Sequence, residues 1–100
     1  MITEIRTFTI QRTKRAEAIA YITEMNDHVT GKHGGRDARI VHKVTGPTNE
    51  VHVIVNWESL AAWAASQKRI PQDAEMQAIV TQAAQGIILY ASSMVYESVS

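Results

Sequence analysis

Hydrophobic residues recur with two different periods along the first third of this 100-residue chain. Residues 2–11 alternate at period two and are rich in Ile, Thr and Phe, which predicts a strand with Arg6, Phe8 and Ile10 on one face. From residue 14 to residue 30 the period becomes helical. The apolar stripe of that predicted helix consists of Ala18, Ile22, Met25 and Val29.

The middle of the chain predicts a β-hairpin, formed by strands at residues 37–45 and 50–57 around a turn at residues 46–49. A four-residue loop places Val44 opposite Val51. This register is favoured because it puts the apolar residues of both strands on one face and leaves Arg39, His52 and Asn56 on the other. A three-residue loop is the alternative, and it places His42 opposite His52.

The last forty residues predict a broken helix followed by a strand. Ser59 is a candidate N-cap for a helix over residues 60–69, Ile70-Pro71 interrupts it, and Asp73 caps a second helix over residues 74–85. Residues 87–97 alternate again. One face of that strand is predicted to carry Ile87, Leu89, Ala91 and Val95, and the other Ile88, Tyr90, Met94 and Tyr96.

This order of elements predicts the fold class. Strand, helix, strand, strand, broken helix and strand form the βαββαβ pattern of a ferredoxin-like α+β sandwich with an antiparallel sheet, in a single domain over residues 1–100. Helices cover only one face of such a sheet, yet every strand carries apolar residues on both faces. We therefore expect a second copy to cover the other face in a twofold homodimer.

Composition narrows the function classes. Ten Lys and Arg balance ten Asp and Glu, so no basic surface for nucleic acid is expected. There is no Cys, which excludes disulfide scaffolds and thiol catalysis. The N-terminus lacks the pattern of a signal peptide, and apolar runs such as residues 87–91 are too short to cross a membrane. We expect a cytoplasmic protein without membrane or nucleic-acid partners.

Four segments carry a family resemblance: EIRTFTIQ, KHGG, GPTNEVHVIVNWESLAAWAASQ and IPQDAEMQAIV. Together they resemble the NIPSNAP family, which belongs to the dimeric α+β barrel superfamily. The resemblance implies a homodimer in which two sheets pair into a barrel with the helices outside. The superfamily also includes small cofactor-free monooxygenases and haem-degrading enzymes, which bind ligand between the sheet and the helices. Fold alone does not carry such activities over to this chain.

The histidines give little support for a metal or cofactor. His28 and His33 are five residues apart, which does not place two ligands on one helix face, and His42 meets His52 only in the alternative register. A haem-degrading enzyme would be expected to hold an axial histidine on the second helix, but residues 60–70 contain none, which leaves His28 or His52 as the alternative ligand. The prediction is therefore no metal and no cofactor.

The ligand-site prediction rests on a convergence of polar side chains. Arg6, His52 and Asn56 are expected to project from adjacent strands onto one face, as in a small-molecule pocket. A cross-strand or dimer-interface hydrogen-bond network would need the same residue types. Tyr21, His28 and Trp63 are the candidate walls of the pocket, and the alternative for such aromatic residues is core packing, which for Trp63 with Leu60 is the simpler interpretation.

Three functions follow from these features. The first is a homodimer that binds a small apolar or aromatic ligand between sheet and helices. The second is a cofactor-independent monooxygenase acting on an aromatic substrate, in which Arg6, His52 and Asn56 assist a substrate that itself reacts with oxygen. The third is a purely structural dimer that docks onto another protein.

Overall fold

The computed structural model describes residues 1–46 and 48–99 and contains the predicted order of elements. Single turns of 3-10 helix at Arg12–Lys14 and Ile70–Gln72 connect some of the longer elements. Those elements are β1 (Ile2–Ile10), α1 (Arg15–Lys32), β2 (Arg36–Val41), β3 (Glu50–Trp57), α2 (Leu60–Arg69), α3 (Ala74–Ala83) and β4 (Ile88–Glu97).

The four strands form one antiparallel sheet in the order β2-β3-β1-β4. This is the predicted ferredoxin-like α+β fold. The helices pack on the face that carries the even-numbered residues of β1 and the odd-numbered residues of β3, because these are the apolar sets of each alternation. The predicted stripe of α1 is confirmed. Its buried residues are Ala18, Ile22, Met25 and Val29.

The register of the β2–β3 hairpin differs from both predicted alternatives. Ile40 pairs with Val53 and Val41 with His52, so β2 ends at Val41 and the connection is longer than four residues. A slip of two residues keeps the side chains of β2 on their predicted faces, which is why the hydrophobic pattern could not detect it. Val44, which was predicted to lie opposite Val51 on the apolar face, instead lies beyond the end of β2 and is 95% exposed. Pro47, in the predicted turn, lies outside the described residues.

Contacts with the start of the chain hold this longer connection. The Ile10 backbone N–H donates to the Asn49 carbonyl at 2.8 Å. The Arg15 guanidinium donates to the Thr48 carbonyl at 3.1 Å and lies 3.0 Å from His42 Nδ1. His42 therefore lies beyond the end of β2 and not opposite His52.

A bulge in β4 shows that the predicted alternation of residues 87–97 is wrong at its start. Thr9 pairs with Tyr90 but Ile10 pairs with Ile88, so Leu89 has no partner on β1 and the alternation shifts there. Ile88 consequently packs against the core on the helix side, whereas the sequence pattern placed it on the same face as Tyr90.

The predicted break in the second helical layer is confirmed. Ser59 Oγ accepts from the Ala62 backbone N–H at 3.0 Å, and Asp73 Oδ1 accepts from the Met76 backbone N–H at 3.1 Å. Between these two caps, Ile70 is buried and anchors the bend. Two short helices, α2 and α3, therefore cover the sheet instead of one long helix.

The other face of the sheet has no helix over it. Along β4 this open face carries Tyr90, Met94 and Tyr96, which are 66%, 64% and 49% exposed. The partly buried Ile5 and Ile54 lie beside them on the central strands. None of the helices in the described ranges is long and apolar enough to cross a membrane.

Gly35 lies where the end of α1 packs tightly against the sheet. A Cβ at this position would lie 2.8 Å from Val29 Cγ1 and 2.9 Å from Val55 Cγ1, both in the core. We expect Gly35→Ala to lower the free energy of unfolding by about 1–3 kcal/mol, because these buried methyl groups must move. Urea denaturation measures the change.

Gly31 provides the matched control. It lies within α1, and a Cβ there meets nothing within 4 Å. Gly31→Ala should therefore stabilise the protein by about 0.5–1 kcal/mol through helix propensity. Equal effects of the two substitutions would contradict the close packing described at Gly35.

Candidate functional site

An apolar cavity of about 360 Å³ lies between the sheet and the helices. Strands β1 and β4 form its floor, and α1 and α3 form its walls. Arg6 is the one charged side chain among the described residues that line it. The main apolar contacts come from Phe8, Met25, Met76, Val80 and Ile88.

A buried carboxylate fixes the position of Arg6. Glu4 is 1% exposed and lies two residues before Arg6 on the same face of β1. Arg6 Nε donates to Glu4 Oε2 at 3.2 Å, Trp57 Nε1 donates to Glu4 Oε1 at 3.2 Å, and Ser93 Oγ donates to Glu4 Oε2 at 3.0 Å. These three donors come from three neighbouring strands, so the carboxylate links side chains of β1, β3 and β4.

This arrangement follows from the cost of burying charge. A carboxylate removed from water is tolerated only when a cation and hydrogen-bond donors replace its hydration, and Glu4 has both. Arg6 uses Nε for Glu4. Within residues 1–46 and 48–99, no group accepts a hydrogen bond from its Nη1 or Nη2 atoms. The cavity therefore has an apolar wall and one oriented set of donors.

A narrow cleft beside Arg6 continues the cavity beneath α1. Arg6, Phe8 and Met25 line both spaces, whereas Asn26 lines the cleft but not the main cavity. Asn26 Oδ1 is buried and has no hydrogen-bond partner among the described residues. Arg6 and an unpaired acceptor, Asn26 Oδ1, are thus residues of the same cleft.

The predicted convergence of Arg6 with His52 and Asn56 is wrong. Arg6 pairs with Val53 in the ladder, so it faces the helices, whereas His52 and Asn56 lie on the open face. There, His52 Nδ1 is 2.9 Å from Thr7 Oγ1, and Thr3 Oγ1 donates to Asn56 Oδ1 at 2.9 Å. Those contacts match the alternative stated above, a cross-strand hydrogen-bond network.

The predicted aromatic walls lie elsewhere. Tyr21 and Trp63 are partly buried and pack against the core, and neither lines the cavity. His28 also lies outside it, at the α1–α3 contact. Of the six predicted ligand-site residues, the structure therefore places only Arg6 in the cavity wall.

His28 and His33 share one carboxylate. His33 Nε2 lies 2.9 Å from Asp73 Oδ2, and His28 Nδ1 lies 3.5 Å from the same atom. In the described part of the chain, no group of three or more His, Asp and Glu side chains could hold a metal ion. The contact instead joins the end of α1 to the N-cap of α3, next to the cavity wall.

Glu4 is a residue of the site that was not predicted from the sequence. A glutamate between Ile2 and Arg6 on an alternating face occupies a position that the pattern assigns to the core. An acid and a base two residues apart on one buried strand face would have indicated a paired, oriented arginine.

Comparison with known proteins supports the fold. The family model described as NIPSNAP matches residues 3–100. A crystal structure of an uncharacterized NIPSNAP domain protein from Burkholderia xenovorans is 18% identical, with a TM-score of 0.81 over 100% of this chain and 96% of that one. None of the curated proteins matches this chain.

Two bacterial oxygenases share the same fold. A putative antibiotic biosynthesis monooxygenase from Nitrosomonas europaea is 11% identical, with a TM-score of 0.74 and full coverage of both chains. A mutant of SnoaB, a cofactor-independent oxygenase from Streptomyces nogalater, is also 11% identical at 0.74, over 99% of this chain and 93% of that one. At these identities the likeness establishes the fold alone.

The Asp73 contact predicts a specific acid sensitivity. The hydrogen bond with His33, and then that with the Met76 backbone N–H, lower the pKa of the Asp73 carboxyl from 3.8 to about 2. Because the folded-state pKa is the lower one, the stabilisation is complete above pH 3.8 and is lost as the pH falls toward 2.

Asp73→Asn keeps a side chain that caps helices equally well but removes the charge. We expect the stability difference between wild type and Asp73→Asn to shrink across that acid range, as measured by urea denaturation at each pH. A difference independent of pH would contradict the proposed charge contribution of Asp73.

Proposed function

This chain belongs to the NIPSNAP family, and we propose that it is a homodimeric protein that binds a small apolar or aromatic molecule between its sheet and its helices. The main observation in support of this proposal is the apolar cavity. Its volume of about 360 Å³ falls within the range of small-molecule sites, and its lining is apolar apart from the oriented guanidinium of Arg6 and the exposed side chain of Tyr90. Such a site orients a ligand by one polar contact and holds it by apolar packing.

The position of the cavity suits ligand entry. Leu89 and Ala91 line it and are exposed at β4, an edge strand, so the site is open to solvent there. Arg6 lies deeper, on a central strand of the sheet. A ligand entering past β4 would place its polar end at Arg6 and its body against α3.

The open face of the sheet supports the homodimer. Three exposed side chains on β4, Tyr90, Met94 and Tyr96, extend an apolar surface that Ile5 and Ile54 continue across the sheet. Large contiguous apolar patches on a soluble protein mark interaction surfaces. A second copy related by a twofold axis would cover this surface with the same side chains.

A cofactor-independent oxygenase is the second candidate function. Its support is the fold shared with the Nitrosomonas europaea protein and SnoaB, together with a guanidinium that would stabilise a deprotonated phenol in the cavity. Such a phenolate donates electrons to molecular oxygen directly. Consumption of oxygen with dihydroxynaphthalenes, abolished in Arg6→Met, would support this candidate; no consumption above a protein-free control would reject it for these substrates.

Filling the cavity tests ligand binding. Ala91 lines it from an exposed position, so Ala91→Phe should occupy the space without disturbing the core. We expect the variant to lose most of any small molecule that native mass spectrometry detects on the wild type, with stability changed by less than about 1 kcal/mol. Ala64→Phe, on an exposed site of α2 outside the cavity, is the control. Undiminished retention in Ala91→Phe would contradict the site.

A charge on the open face tests the dimer. Met94→Glu would place a carboxylate within the proposed interface and should weaken association by about 2 kcal/mol or more. Leu60→Glu changes an exposed apolar residue on α2, 54% exposed against 64% for Met94, and should leave association unaltered. Light scattering after size exclusion measures both variants. A monomeric wild type, or a Met94→Glu protein that remains as dimeric as Leu60→Glu, would argue against this interface.

A further inference from the structure

The guanidinium of Arg6 is only partly used by the protein. Its side chain is 23% exposed, and Nε is bound to Glu4 Oε2 at 3.2 Å. Nη1 and Nη2 have no acceptor within residues 1–46 and 48–99. They are terminal atoms of a side chain that lines both the main cavity and its narrow cleft.

The contact with Glu4 leaves the two terminal nitrogens of Arg6 available to bind a ligand. The Glu4 carboxylate also accepts hydrogen bonds from Trp57 Nε1 and from Ser93 Oγ, so three donors together replace its hydration. Holding Nε in place restricts rotation of the guanidinium plane. A fixed plane loses less conformational freedom when a ligand binds, which favours a two-point contact with the remaining nitrogens.

We propose that the ligand of this cavity is a small organic carboxylate whose two oxygens accept hydrogen bonds from the free nitrogens of Arg6. A planar carboxylate matches the guanidinium fork in shape and charge, and such paired contacts are stronger than hydrogen bonds between neutral groups. The remainder of the ligand is apolar and packs against Met25, Met76 and Val80. This inference rests on the proposed function, because it names the ligand class of that same site.

The volume limits the size of the ligand. About 360 Å³ is near the lower end of the range for small-molecule sites, which extends from roughly 300 to 1,000 Å³. An acid with one or two aromatic rings, or a medium-length aliphatic chain, is the expected class.

Matched pairs of acids and amides test the charge requirement. Isothermal titration calorimetry at pH 7 would compare benzoate with benzamide, 2-naphthoate with 2-naphthamide, and octanoate with octanamide. Each pair shares an apolar body, so the affinity ratio isolates the carboxylate. We expect at least one acid to bind about tenfold or more tightly than its amide, because charge-assisted hydrogen bonds exceed neutral ones.

Variants locate that preference. Arg6→Met should reduce the acid-to-amide ratio to about one. Arg12→Met, which removes an exposed positive charge outside the cavity, should preserve the ratio. If Arg6→Met does not fold, the double variant Glu4→Gln/Arg6→Met removes both members of the pair, so that no buried carboxylate lacks its cation.

The outcomes separate this inference from the function on which it rests. Equal affinity for acids and amides in the wild type would overturn the carboxylate assignment but would leave the cavity as a binding site. A preference that survives loss of Arg6 would overturn the assignment of the site. No binding by any member of the three pairs would overturn both.

Discussion

The contact between Glu4 and Arg6 is the constraint on which the interior depends. A carboxylate that is 1% exposed can persist at the centre of a sheet only if donors surround it, and here these come from β1, β3 and β4. The requirement ties three strands together through side chains as well as through the backbone ladder. It also fixes the charged group of the cavity on a central strand of the sheet.

The two faces of the sheet have different environments, because helices cover one face and leave the other open. On the helix face, the break at Ile70–Gln72 lets α2 and α3 follow separate directions, and the cavity lies where α3 and α1 approach β1 and β4. On the open face, apolar side chains are interspersed with cross-strand pairs such as Thr7 with His52. Polar pairs satisfied within the sheet leave the apolar residues between them available for contact with another surface.

Much of the fold could be predicted because it depends on local patterns. The period-two and helical segments, the caps at Ser59 and Asp73, and the apolar stripe of α1 are each determined by residues close in sequence. The β2–β3 register and the bulge at Leu89 were not predictable in this way. A two-residue slip preserves the hydrophobic pattern, and a bulge depends on pairing with a strand distant in sequence.

The site was predicted less well than the fold. Arg6 was identified, but its supposed partners His52 and Asn56 were assigned to its face without the β1–β3 register, which places them on the other side. The cavity itself arises from packing between α3, α1 and the sheet, and no short sequence segment encodes it. A charged residue at a core position of an alternating strand, such as Glu4, was the one available local signal.

Methionine methyl groups offer the most direct test of the cavity as a ligand site. The chain has four methionines; Met25 and Met76 line the cavity, whereas Met1 and Met94 lie outside it. With ¹³C-methyl labelling, titration with 2-naphthoate should shift the signals of Met25 and Met76 along one saturable curve and leave those of Met1 and Met94 in place. Shifts confined to Met94, or no shift at saturating ligand, would contradict the account.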